Sequence, residues 1–232
     1  MAVTGGGGAV APELAAAFLG RGWQVALLDR PGKEERVLAG RPEFAAAAAQ
    51  GRLAYFGADL ADPVATAKAF AAAAERFGEA EMLLNVAGGF AMHPAASAGV
   101  SELDRLLTIN LRTAVNATAQ VLPGMVERGS GFVLAVSAGA ASQAAPGRSQ
   151  YAAAKAALSA YFRSVAAEVG SAGVNVAVLV PVGTIDTPQN RAATPDADPN
   201  TWIRPAAVAD TVLFLASRPA GGRVHELAIS AR

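Results

Sequence analysis

The chain has 232 residues, 53% hydrophobic and 16% charged, a composition that supports a sizeable single core and excludes a disordered chain. Lys and Arg together number 19, as do Asp and Glu, so there is neither the basic face that nucleic acid requires nor a polybasic anchor for a membrane. With no cysteine, disulfides, zinc thiolates and cysteine nucleophiles are excluded, which fits a reducing, cytoplasmic setting.

The first strand, "MAVTG", is short: three residues precede Thr4, where about five or six are usual. Four glycines follow, and no secretory leader is expected, because glycine stands where a basic and then an apolar region would be. A helix is predicted over residues 10–21, with Pro12 in its first turn, and then the strand "WQVALLD". "RPGKEERVLAGRPEF" reads as a loop with room for a short helix, and "EFAAAAAQ" as helix. The strand "RLAYFGAD" precedes a helix over 63–77, and "EMLLNVAG" precedes a long helix over 101–128. "GFVLAVSAG" is followed by a helix over 149–171, then by "VNVAVLVP", too short to span a bilayer. Residues 183–200 hold three prolines and read as a lid. A helix over 205–217 and a last strand over 223–229 complete the chain. Near-continuous apolar strands alternating with helices predict a doubly wound α/β fold, its parallel sheet covered on both faces, in one domain over residues 1–232.

"VTGGGGAVAPELA" sits between the first strand and the first helix. Glycines there let the backbone approach a pyrophosphate at a helix N-terminus. The other reading is a mobile, glycine-rich terminus. The order strand, glycines, helix, strand and terminal acid favours the nucleotide site. Asp29, which closes the second strand, is placed to bind the adenosine ribose and to repel a 2′-phosphate, so NAD(H) is favoured. Arg30 beside it weakens that preference and keeps NADP(H) possible.

In "SQYAAAKAALSAY", Tyr151 and Lys155 stand at i and i+4 on one helix face. A tyrosine ionises near pH ~10, so acid–base work at neutral pH needs a neighbouring positive charge, which Lys155 supplies. By itself such a pair is more often a surface contact. Ser137 ends the strand "GFVLAVS", where sites form in open α/β sheets, although it also suits a turn. Asn110 is polar within an apolar helical stretch and reads equally as a satisfied buried amide.

"TGGGGAVA", Asp29, "ADL", "NVAGG", Asn110, Ser137, "YAAAK" and "PVGTIDTP", in this order and spacing, resemble the short-chain dehydrogenase/reductases over nearly the whole chain. The resemblance implies a Rossmann-like sheet of about seven strands and hydride transfer between a nicotinamide and a carbonyl or alcohol carbon. It implies Tyr151 as proton donor and acceptor, Lys155 as the charge that lowers its pKa and holds the nicotinamide ribose, Ser137 as donor to the substrate oxygen, and Asn110 as holder of a water linked to Lys155. It implies cofactor contacts at Gly5, Gly7, Gly8, Ala9, Val10, Asp59 and Leu60, at Asn85, Ala87 and Gly88, and at Val182, Thr184 and Ile185. It also implies a homodimer or homotetramer through the helices after the fourth and fifth strands. Ala9, "VAGGFA" and the segment after the sixth strand are similar to the dihydropteridine reductase branch, which prefers NADH but typically lacks the serine.

Phe90 and Trp202 are candidates for a substrate wall, or else simply seal the lid. His93 and His225 lack ligand companions, and turn chemistry accounts for Asp196 and Asp198, so no metal is expected. Three functions stay open: a carbonyl reductase or alcohol dehydrogenase, an NADH-dependent quinonoid dihydropteridine reductase, and a non-catalytic cofactor sensor or scaffold. The last is motivated by the short first strand and by Ala11, which stands where the cofactor turn usually has its last glycine.

Overall fold

A computed structural model describes residues 1–231. Its elements, in chain order, are β1 (Ala2–Thr4), α1 (Ala11–Leu19), β2 (Val25–Asp29), α2 (Glu34–Ala39), α3 (Pro42–Ala49), β3 (Leu53–Gly57), α4 (Pro63–Phe77), β4 (Met82–Asn85), α5 (Val100–Leu107), α6 (Thr113–Arg128), β5 (Gly131–Val136), α7 (Ser149–Val169), β6 (Val174–Pro181), α8 (Pro188–Ala193), α9 (Pro205–Ala216) and β7 (Glu226–Ile229). The strands form one seven-stranded sheet in the order β3-β2-β1-β4-β5-β6-β7, every pair parallel. This is the doubly wound, Rossmann-like architecture expected.

The period of two along each strand sorts side chains between two cores. Val3, Leu27, Leu84, Leu134 and Leu179 face one layer, where they meet Leu14 and Phe18 of α1, Phe44 of α3 and Val208 and Val212 of α9. Their neighbours Ala2, Leu28, Leu83, Val133 and Val178 face the other layer, against Phe70 of α4, Val121 and Met125 of α6 and Leu158 and Phe162 of α7. Both faces being covered, β6 is buried at all eight positions. No described helix is long and apolar enough to cross a membrane.

Local chemistry fixes the helix ends. Asp62 caps α4 by accepting from the amides of Val64 and Ala65, Pro63 opens it, and Gly78 closes it at φ 77°. Gly129 ends α6 in the left-handed region.

After β2, the short helix α2 fills the loop that had room for one, and α3 covers most of "EFAAAAAQ". Some expected boundaries differ. The helix over 10–21 is shorter at both ends, running from Ala11 to Leu19. The long helix over 101–128 is broken by a π-helical turn, Thr108–Arg112, between α5 and α6. The last strand begins at Glu226 and not at 223, because Arg223 is engaged by the carbonyls of Gly170 and Gly173 at the turn after α7.

Candidate functional site

Strand order reverses between β1 and β4, which opens a crevice at the strands' C-terminal ends. Thr4 joins the two strands there. Its hydroxyl accepts from the amides of Val86 and Ala87, both at 3.1 Å. Gly5 then turns at φ 73°, and a Cβ on it would lie 2.9 Å from the Ala87 backbone, so the sharp turn and the close approach both require glycine. Gly8 donates to the Gly5 carbonyl at 2.8 Å and closes the turn over which Gly7, Ala9 and Val10 lead to α1. Ala11 is fully buried and belongs to the core that holds Leu14 and Phe18.

Asp29 reaches back to this turn. Its Oδ2 accepts from the Gly7 amide and from Lys33 Nζ, both at 2.9 Å, and its Oδ1 accepts from the Arg30 amide. Arg36 donates to the Gly7 carbonyl at 2.9 Å. Lys33 was not read from sequence, although its i+4 spacing from Asp29 was a usable signal. A Cβ on Gly7 would meet the Lys33 side chain, so Lys33 lies over the glycine turn.

The other groove residues divide. Ala87 and Gly88 follow β4 at the crevice. Asn85 lies at the β4 end but turns inward, donating to Thr118 of α6 at 3.3 Å, with its Oδ1 buried and unpartnered. Asp59 is exposed and its carboxylate is held by the Ala61 amide, while Leu60 is buried and its carbonyl accepts from Asn116.

Tyr151 and Lys155 occupy the first turns of α7. Burial raises the Tyr151 phenol to about 12, opposed by the charge of Arg148. Burial lowers the Lys155 ammonium to about 8. Lys155 Nζ donates to the Val136 carbonyl at 2.9 Å and lies 5.9 Å from the Tyr151 ring centroid. In this arrangement Lys155 is engaged by the Val136 carbonyl, and the charge that opposes burial at the phenol is that of Arg148.

Asn110 lies in the π turn and is fully buried. Its amide donates to the carbonyls of Gly89 and Leu106, both at 3.0 Å, and its Oδ1 accepts from the Gly89 amide at 3.2 Å. The side chain clamps the loop after β4. A Cβ on Gly88 would lie 2.6 Å from Asn110 Oδ1 and 3.5 Å from Lys155 Nζ, so these three residues converge.

Ser137 follows β5 with a buried hydroxyl, 2.6 Å from Ser159 Oγ and donating to the Lys155 carbonyl at 3.2 Å. Those partners lie on α7, so the hydroxyl helps to dock that helix on β5.

At the mouth, the Phe90 ring meets Tyr151 edge to face, 5.0 Å between centroids. Trp202 is buried, only 8% exposed, at the base of the lid. Val182 continues from β6, its amide donating to the Ile229 carbonyl. Thr184 and Ile185 run beside Ile203, whose amide donates to the Thr184 carbonyl at 2.8 Å. This bridge holds the base of the loop that carries α8, where Arg191 grips Asp186 with two bonds.

His93 lies 3.9 Å from Glu102, and His225 faces the Val176 carbonyl. Among the described residues no three His, Cys, Asp or Glu side chains gather to hold a metal ion. Asp198 caps the turn at Asn200. A cavity of about 360 Å³ lined by Arg21, Trp23, Gln24 and Glu79 opens at the opposite end of the sheet, away from Tyr151.

A model of the short chain dehydrogenase family matches residues 1–198. The chain is 31% identical over 231 residues to the 2-(R)-hydroxypropyl-CoM dehydrogenase of Xanthobacter autotrophicus, covering 94% of this chain and 91% of that one. It is 29% identical to the D-xylose 1-dehydrogenase of Caulobacter vibrioides, with 93% and 87% covered. Its fold superposes on a short-chain dehydrogenase/reductase from Mycobacterium ulcerans with a TM-score of 0.88 at 23% identity, over 99% of this chain and 87% of that one.

Proposed function

The chain belongs to the short-chain dehydrogenase/reductase family, and on that premise we propose that it moves hydride between a nicotinamide cofactor and a carbonyl or alcohol carbon, with Tyr151 as general acid and base. The observation that carries this reading is the convergence of Tyr151, Lys155, Asn110 and Gly88 at the crevice where the strand order reverses.

The bound cofactor supplies or accepts the hydride. The residues present fit it: Gly5 and Gly8 form a turn that side chains would close, and Gly88 leaves open the space beside Lys155. Tyr151, held near 12, carries its proton at neutral pH, which suits it to protonate the oxygen of a carbonyl under reduction. For the reverse reaction the phenol must ionise. Releasing Lys155 from the Val136 carbonyl frees an ammonium already in reach of the ring. Asn110 keeps the loop at Gly88–Gly89 in place while this occurs.

Tyr151→Phe is expected to lose at least about a thousandfold in kcat while retaining cofactor affinity, read by turnover on a carbonyl panel and by NADH fluorescence titration. Full turnover in that variant would sink the mechanism.

NAD(H) is the favoured cofactor, supported by the Asp29 carboxylate at the Gly7 amide. Lys33, Arg30 and Arg36 beside it reduce its repulsion of a 2′-phosphate, so parallel titrations should give NADH and NADPH affinities within about tenfold of each other. A cytoplasmic setting is supported by the absence of cysteine. A homodimer or homotetramer through α6 and α7 is the proposed assembly, supported by the Ala-rich sequence of these helices; a monomer by light scattering at micromolar concentration would refute it.

A second reading, reduction of a quinonoid dihydropterin, is favoured by the engagement of Ser137 with Ser159, since the branch it resembles typically lacks a serine at the substrate. An NADH assay on that substrate decides it, and no rate above background rejects it. The sensor reading loses one of its motives, because Ala11 packs into the core.

A further inference from the structure

Arg148 stands immediately before α7 and is exposed. Its guanidinium lies 5.5 Å from the Phe90 ring centroid, and Phe90 in turn meets Tyr151 edge to face at 5.0 Å. The same charge is felt at the Tyr151 phenol, where it opposes the effect of burial. Among the described residues no carboxylate pairs with Arg148, and unlike the other arginines without one it stands beside the acid–base tyrosine. The acids near the mouth are committed: Glu102 to Arg105, and Asp186 to Arg191.

The rim around Arg148 is fixed. His93 donates its amide to the Gly147 carbonyl at 2.8 Å, and Gln150 donates to the Ala98 carbonyl at 3.1 Å. The remaining rim is apolar and open, with Phe90 37% and Met92 55% exposed. An unpaired guanidinium held on an apolar rim beside an acid–base group is a recognition element for an oxyanion. At 5.5 Å over the ring the guanidinium keeps its N–H donors available to grip one.

We propose that Arg148 determines specificity by gripping an anionic group of the substrate, which is a ketone or secondary alcohol carrying a carboxylate a few bonds from the reacting carbon. The apolar link between the two groups lies against Phe90 and Met92. This rests on the reading of Tyr151 as acid and base, but its binding component is independent of turnover.

The test uses matched pairs: acetoacetate, 4-oxopentanoate and 5-oxohexanoate, each against its methyl ester. The readout is the acid-to-ester ratio of kcat/KM in the wild-type protein, Arg148→Gln and Arg148→Lys. Any change that Arg148 makes in the Tyr151 proton affinity acts on acid and ester alike and cancels in that ratio. At least one pair should favour the acid in wild type. Arg148→Gln should lower its ratio at least about tenfold, mainly through KM, and Arg148→Lys should restore part of it. A wild-type preference for the esters, or a ratio unchanged by Arg148→Gln, would overturn the proposal. If no pair is turned over, binding of the three acids to the protein–NADH complex, read by quenching of NADH fluorescence, decides. Binding lost in Arg148→Gln upholds the anion site and counts against the hydride reading alone. No binding, or equal binding by wild type and variant, overturns the site.

Discussion

Lys155 is a charge that the fold holds at a cost. Its ammonium titrates near 8 in the folded chain against 10.5 in an open one, and burial is the cause. Between those values unfolding takes up a proton, so the Lys155 contribution makes stability rise with pH across that interval and leaves it flat below. Lys155→Met should therefore be more stable than wild type below pH 8 by up to ~3 kcal/mol, with the gap closing toward pH 10.5, in urea melts taken across that range. The same variant should be inactive. Ser137→Ala tests the opposite kind of residue. It breaks a buried hydroxyl pair, so about 1–2 kcal/mol of stability should be lost while kcat falls less than about tenfold. A thousandfold loss of kcat would return Ser137 to the substrate. Residue type and spacing made Tyr151, Lys155 and Asp29 legible in the sequence, because each belongs to a local pattern. The pairing of Ser137 with Ser159 was not legible, since the two are distant in the chain and only packing of α7 on β5 brings them together. Arg148 was missed because nothing local marks an arginine as unpaired.

At the scale of elements, the first turn is the most constrained. Gly5→Ala would force a side chain into the left-handed region and against the Ala87 backbone, so it should cost roughly 1–3 kcal/mol and weaken cofactor binding as well. Thermal melts and NADH titration check both, and an unaffected affinity would mean that the turn does not face the pyrophosphate. Element type was readable from hydrophobic period: the strands stand where apolar runs predict them, and helices occupy the intervals. Element ends were less readable. The break between α5 and α6 has no proline or glycine to announce it; its interior is Thr108–Arg112, all ordinary helix residues. What holds it is the Asn110 amide bound to Gly89 on another segment, a tertiary bond that periodicity does not record. The early start predicted for β7 failed similarly, because Arg223 finds carbonyls at the turn after α7.

For the whole molecule, the strand–helix alternation was enough to predict one doubly wound sheet, since parallel strands need crossovers and right-handed crossovers leave few arrangements. The position of the crevice follows from strand order, which the alternation alone does not give. That order divides the sheet into halves, β1–β3 and β4–β7, which meet only where β1 pairs with β4. The seam is narrow, with Ala2 opposite Leu83 and Val3 opposite Leu84. At its end the Thr4 hydroxyl takes the place of the ladder for two amides, Val86 and Ala87. Exchange of those amides with deuterium is therefore expected to follow local opening of this seam, ahead of the centres of β5 and β6. A ligand lying across the crevice should slow both together, and Thr4→Val should hasten both while leaving the centres of β5 and β6 protected. Two backbone protons thus serve as a built-in gauge of how firmly the halves of the sheet are joined.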